Sequence, residues 1–239
     1  MKKLTARLAT LTVGLAITAG ARANSVYPLN GSYADNDGSG PALVPDSGTL
    51  TTTGYQFGAN QGLHVSNVLA DTGNYSIDLV FRLDDTSGFR KLIDFADRSV
   101  DTGLYVHNGS LEFYNKPSLP TVTIAPSQLN TILLTRDAAT KIVSGYVNGL
   151  QQFAFSDTTN IAVFSGTNGI MRFFEDDTAT GGSEASGGFV DRIRIADNAQ
   201  GQFGSAAATP LPTAGIAGLT LLGGLGLTRG RRQSAPTHR

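Results

Sequence analysis

Apolar and polar positions alternate most strictly from Tyr75 to Leu83. Tyr75, Ile77, Leu79, Phe81 and Leu83 fall on one side, Ser76, Asp78 and Arg82 on the other, and Val80 breaks the pattern. Successive side chains of an extended chain point to opposite faces, so this period of two predicts a strand with one buried face. Leu104-Tyr105-Val106-His107 and Leu111-Glu112-Phe113-Tyr114 flank Asn108-Gly109, a hairpin signal because both turn positions need positive φ. Further short apolar segments continue the series: Thr121 to Ile124, Thr131 to Thr135, Ile142 to Val147, Phe153 to Phe155, Ile161 to Phe164, Ile170 to Phe174 and Phe189 to Ile195. Asn148-Gly149 and Asn168-Gly169 mark two more turns. No segment sustains a helical period. The pattern predicts an all-β chain folded as a two-sheet antiparallel sandwich.

The ends follow different rules. Lys2, Lys3 and Arg7 precede an apolar run from Leu8 to Ala19, and Ala21-Arg22-Ala23 supplies a small-x-small cleavage site. Residues 1–23 therefore read as a signal peptide for signal peptidase, with the mature chain starting near Asn24. At the other end Pro210-Leu211-Pro212 leads into an uncharged run from Ala214 to Thr228, followed by Arg229, Arg231 and Arg232. Five of the 15 residues in that run are glycine, and a spanning helix needs about 20 apolar residues, so it is weak as a permanent anchor. The arginines are held on the cytoplasmic side. Residues 205–239 read as a sorting signal, of which about Thr209 to Arg232 resembles the PEP-CTERM signal that exosortases process in exopolysaccharide-producing Gram-negative bacteria. Leu211 departs from the glutamate of its commonest form. Leu211-Pro212-Thr213-Ala214-Gly215 is also one residue from a sortase signal, with Ala214 in the place of threonine. A simple anchor is the third reading. The exosortase reading implies a bacterial protein that is secreted or held at the cell surface after transient inner-membrane association.

Between the ends, residues 24–204 are long enough for one domain. The near-neutral total, 18 basic against 19 acidic residues, hides a split: eight basic and no acidic residues lie in the ends, leaving the body at −9. A nucleic-acid partner is excluded on charge, because phosphate binding needs a basic face. No cysteine is present, so the exported fold rests on its core without disulfides.

The order of the segments resembles a known family. Tyr55-Gln56-Phe57-Gly58 before Gly62-Leu63-His64-Val65 is similar to the opening of laminin-G-like domains of the concanavalin A-like jelly-roll fold. Tyr75 to Phe81 looks like their first long core strand. Ile132-Leu133-Leu134-Thr135-Arg136-Asp137, then Gly145-Tyr146-Val147-Asn148-Gly149, is similar to the family's hallmark pair. Gly188 to Ile195 resembles its last strand. The likeness spans about Gly54 to Asp197. It implies a jelly roll whose rim loops recognise ligands, often with calcium.

Candidate chemistry is sparse. Asp35 and Asp37, in Asp35-Asn36-Asp37-Gly38-Ser39, place two carboxylates at alternate positions before a glycine, part of a calcium-loop pattern without the distal glutamate. Glu175, Asp176 and Asp177 form a second candidate calcium site, read as a loop after a strand ending at Phe174. Enzymes of this broad fold class include glycoside hydrolases, which need two carboxyl groups a few ångströms apart. Only Glu112, Glu175 and Glu184 are glutamates, and the Glu175 cluster is the one place for such a pair. His64 and His107 read as exposed strand residues. Asp191 shares the register of Phe189, Ile193 and Ile195, so it is expected to face inward, tying a loop or Arg136. The sequence thus points to a noncatalytic sandwich that recognises a glycan or surface protein at the cell surface or in extracellular polymer, with calcium as the expected cofactor. The alternatives are a structural matrix component and a polysaccharide-acting hydrolase or lyase.

Overall fold

The computed structural model describes residues 24–166 and 168–199. The cleavage residues Ala21 and Ala23, and the sorting-signal residues Pro210, Leu211, Pro212, Arg229, Arg231 and Arg232, lie outside the described residues. Fourteen strands follow one another: β1 (Asn24–Tyr27), β2 (Val44–Pro45), β3 (Thr49–Leu50), β4 (Tyr55–Phe57), β5 (Leu63–Val65), β6 (Tyr75–Leu83) and β7 (Phe89–Asp94) form the first half. The second half comprises β8 (Gly103–His107), β9 (Ser110–Phe113), β10 (Asn130–Arg136), β11 (Ile142–Val147), β12 (Leu150–Ser156), β13 (Met171–Phe173) and β14 (Gly188–Ala196). There is no helix among the described residues.

The strands form the expected antiparallel jelly-roll sandwich. The larger sheet runs β12-β11-β10-β6-β14-β4-β3, and the smaller β2-β5-β13-β7-β8-β9. One side of β14 is shared: β4 pairs with residues 188–190 and β1 with residues 193–196. Strand β6 buries Tyr75, Ile77, Leu79, Phe81 and Leu83 as its alternation predicts. Its opposite face is also used, because Asp78 receives Arg194 Nε at 2.9 Å and Arg192 Nη2 at 3.4 Å. Both Asn-Gly hairpins form, with φ of 49° and 81° at Asn108-Gly109 and 49° and 83° at Asn148-Gly149.

The core is rich in rings, and the hydroxyls of Tyr27, Tyr55 and Tyr75 each find a carbonyl, while that of Tyr105 donates to Asp101 Oδ1 at 3.0 Å. Tyr27 donates to Pro41 O at 2.8 Å, Tyr75 to Ala162 O at 2.8 Å, and Tyr55 to Gly62 O at 2.9 Å. Phe174 stacks on Phe57 with centroids 4.5 Å apart and leans on Phe81 at 5.8 Å.

Two expected strands are absent. Thr121 to Ile124 lies outside both sheets, because the Gln152 side chain takes the Thr121 and Val122 amides that a ladder would use. Ile161 to Phe164 forms a turn, organised by Asp157, which accepts from the Ile161 and Ala162 amides. Asp191 also differs from expectation. The register of β14 shifts between Val190 and Arg192, so Val190, Ile193 and Ile195 face the core while Phe189 lies outside, with the Arg82 guanidinium 5.5 Å from its ring centre. Asp191 is half-buried, and Arg136 pairs instead with Asp157 at 2.9 Å.

Candidate functional site

The polar chemistry gathers on the outer face of the smaller sheet. Leu63 and Val65 of β5, Met171 and Phe173 of β13, and Leu104 and Val106 of β8 point into the core. The alternation therefore turns His64, Arg172 and Tyr105 outward. His64 and Arg172 are ladder partners, as are Arg172 and Asp94. In β7 the register shifts between Lys91 and Ile93, making Leu92 the extra residue of a bulge. Without it Lys91 and Asp94 would lie on opposite faces; with it both face outward and pair at 3.5 Å.

The chain after β13 closes over this face. Phe174 adopts φ of 62°, which reverses the chain and returns its ring to the core. Glu175, Asp176 and Asp177 follow, and all three are fully buried. Glu184 O accepts the Lys91 amide at 2.8 Å, and the Asn60 side chain holds both the Asp176 amide at 2.9 Å and Gly182 O at 2.8 Å.

Glu175 turns to one side and joins an acid–base centre. Arg172 Nη1 lies 3.0 Å from Glu175 Oε2 and 3.6 Å from Asp46 Oδ2, while its Nε donates to Asp97 Oδ1 at 2.6 Å. His64 Nδ1 meets Asp46 Oδ2 at 2.7 Å. Glu175 Oε1 is buried with no hydrogen-bond partner among the described residues. Burial, reinforced by the neighbouring Asp46 carboxyl, pushes the Glu175 pKa up to about 8. Burial works against Asp46 as well, but hydrogen bonding with Glu175 and His64 and the charges of His64 and Arg172 hold its pKa below the usual value. At neutral pH one carboxyl of this pair carries a proton and the other is ionised.

Asp176 and Asp177 turn to the other side, around the buried Lys91. Its ammonium bonds Asp177 Oδ2 and lies 3.5 Å from both Asp94 and Asp176. Asp177 Oδ1 accepts the Ala179 and Thr180 amides. Despite burial, these donors hold the Asp177 pKa below the usual value. Asp101, Asp177 and Glu184 bring oxygens within 4.8 Å of one another. Burial and the charges of Asp101 and Asp176 raise the Glu184 pKa, and its Oε2 is buried without a partner.

The two predicted calcium sites fare differently. Asp35 accepts from the Val26 amide at 2.8 Å and the Gly40 amide at 2.9 Å, and Asp37 from the Ser39 amide and hydroxyl. Both carboxylates tie their own loop. Glu175, Asp176 and Asp177 are a buried network rather than the open loop expected, and they serve two separate centres. The excess of carboxylate and the orphaned Glu184 Oε2 suit a cation at Asp101, Asp177 and Glu184, a grouping with residues from two loops that spacing alone does not reveal. His64 is a paired member of the acid–base centre, and His107 stacks on Phe89 at 3.8 Å. Asp46, Arg172 and Lys91 carried no signal in the sequence.

No family model matches this chain, and no curated protein matches it. Solved structures do. Domain 4 of a GH43 extracellular arabinanase from Geobacillus stearothermophilus, in complex with arabinotriose, superposes with a TM-score of 0.55 at 15% identity, covering 75% of this chain and 94% of that domain. The Trypanosoma rangeli sialidase, in complex with 2,3-difluorosialic acid, gives 0.54 at 16% identity over 77% of this chain. The chain spans 31% of the sialidase's length. At these identities the likeness is one of fold. It corrects the expectation of a chain without catalysis: the folds it shares belong to a sialidase and an arabinanase, both enzymes. The jelly-roll sandwich of this chain is thus an architecture shared with proteins that handle glycans.

Proposed function

We propose that this chain is an exported, polysaccharide-acting β-sandwich whose working centre is Asp46, His64, Asp97, Arg172 and Glu175. The observation that carries the reading is the convergence of the Asp46, Asp97 and Glu175 carboxyl groups on the Arg172 guanidinium, with Glu175 Oε1 buried and unpartnered. Cleaving a glycosidic bond requires a proton for the leaving oxygen and a base for the incoming water; the Asp46–Glu175 pair holds the proton, and a further carboxylate must serve as the base. Glu175 is fully buried, whereas Asp46 and His64 are 33% and 22% exposed, so Glu175 delivers its proton through Asp46. Asp97, 37% exposed across the same guanidinium, is the second carboxylate and takes a proton from water. The glycosidic C–O bond breaks, water supplies the new C–O bond, and the sugar leaves with the proton.

Export rests on the two terminal signals, which make the extracellular polymer of the producing bacterium the expected substrate. Calcium, the cation expected from the sequence, is assigned to Asp101, Asp177 and Glu184, where it would tie the loop over the smaller sheet.

The test is release of new reducing ends from neutral and acidic polysaccharides by the full chain. Glu175→Gln preserves shape and removes the mobile proton, and cleavage is expected to fall by about a hundredfold or more. Absence of cleavage on every polymer, or a Glu175→Gln rate equal to that of the native chain, overturns the reading.

A further inference from the structure

A recess of about 400 Å³ opens where β4, the end of β6 and the start of β14 meet. Its lining includes the side chains of Gln56, Gln61, Arg82 and Asp84 beside Thr49 and Phe57, together with Gly58 and Gly188. We infer that this recess binds a neutral sugar unit of the polysaccharide, an inference that rests on the glycan reading above.

Three observations carry it. The volume lies near the low end of the ~300–1,000 Å³ range of small-ligand sites, fitting a short saccharide. The charges cancel: Arg82 Nη1 meets Asp84 Oδ1 at 3.1 Å, so neither an anionic nor a cationic ligand gains a net partner. The groups also mix donors and acceptors on planar side chains. Gln61 Oε1 is committed to the Gly58 amide at 3.0 Å, which turns its NH2 group outward as a donor, while Gln56 is exposed on the outer face of β4. A sugar hydroxyl both donates and accepts, and such a set can serve several at once. Arg82 is also steadied by the Phe189 ring beneath it.

The recess lies on the larger sheet and the acid–base centre on the smaller, and the chain between β2 and β5 connects them. Gly48 on its wall is two residues from Asp46, and Gln61 precedes Gly62, whose position packs on Glu175. The Tyr55 hydroxyl accepts the Gly48 amide at 2.9 Å and shares its one proton between Gln61 O at 2.8 Å and Gly62 O at 2.9 Å.

The experiment is calorimetric titration of the full chain with neutral arabino-, xylo- and cello-oligosaccharides and with acidic oligogalacturonate and sialyllactose. A neutral series is expected to bind, with Gln56→Ala and Asp84→Ala each weakening it about tenfold while melting temperatures hold, as expected for exposed positions. Glu175→Gln is expected to leave affinity within about twofold. Preference for the acidic sugars, unaltered affinity in both recess variants, or no saccharide binding overturns the proposal. The reducing-end assay separates the two readings: cleavage that survives Gln56→Ala and Asp84→Ala with unchanged KM removes the recess alone. Neutral-sugar binding lost in the recess variants, with no cleavage of any polymer, keeps the recess and removes the centre.

Discussion

Glu175 is the residue on which the chemistry and the energetics of this molecule meet. Its carboxyl ionises near 4.5 in the unfolded chain and near 8 in the folded one, so across that interval the folded state holds a proton that the unfolded state has lost. Stability contributed by the protonated form is complete below about 4.5 and drains away as pH rises towards 8. Glu175→Gln carries no such liability. Its melting temperature is expected to exceed that of the native chain progressively from pH 5 to pH 8, a crossing pattern that a purely local packing change would not give. Lys91 behaves in the opposite sense. It is the one cation inside a nest of Asp94, Asp176 and Asp177, and Lys91→Met strands three buried carboxylates. Loss of about 3–5 kcal/mol in urea denaturation is expected, recovered in part at acid pH where the carboxyls protonate. Residue identity in the sequence announced neither role. Glu175 stood out as an acid beside other acids, yet what raises its pKa is burial, reinforced by Asp46, a residue of a distant turn. Lys91 carried no signal, because nothing in its neighbours in the chain foretells a loop arriving from residues 174–187 to cover it.

At the scale of elements, the period-two pattern was a faithful guide wherever the ladders are regular. β6, β10 and β11 fall where the alternation places them, and Asn108-Gly109 and Asn148-Gly149 turn as their composition requires. The reading failed at bulges, since one extra residue reverses every inward and outward assignment beyond it. That is why Asp191 was assigned to the core and why Lys91 and Asp94 were not seen as neighbours. It failed also where a side chain, Gln152 or Asp157, replaces a strand as the backbone's partner. The junction of β5 and β13 offers the sharpest test of how these elements hold the centre. A Cβ on Gly62 would stand 1.8 Å from Phe173 O and 3.0 Å from Glu175 Cγ. Gly62→Ala must push β13 away, and a loss of more than about 2 kcal/mol is expected, with cleavage falling further than the unfolded fraction explains. The loop that spans Asp177 to Glu184 gives another. Removal of calcium by a chelator should lower the melting temperature by a few degrees, and Glu184→Gln should abolish that difference.

On the scale of the whole molecule, the sandwich places its two ends together. Asn24 pairs with Ala196 and Tyr27 with Ile193, so β1 lies antiparallel along the last stretch of β14. On its other flank β14 is bonded to β6 from Gly188 to Ala196. Tension entering through residue 196 thus reaches the most extensively laced strand of the sheet, where hydrogen bonds on both sides share the load in shear instead of parting singly. A domain hauled by its carboxyl end against a polymer gripped elsewhere would yield last at the point of attachment.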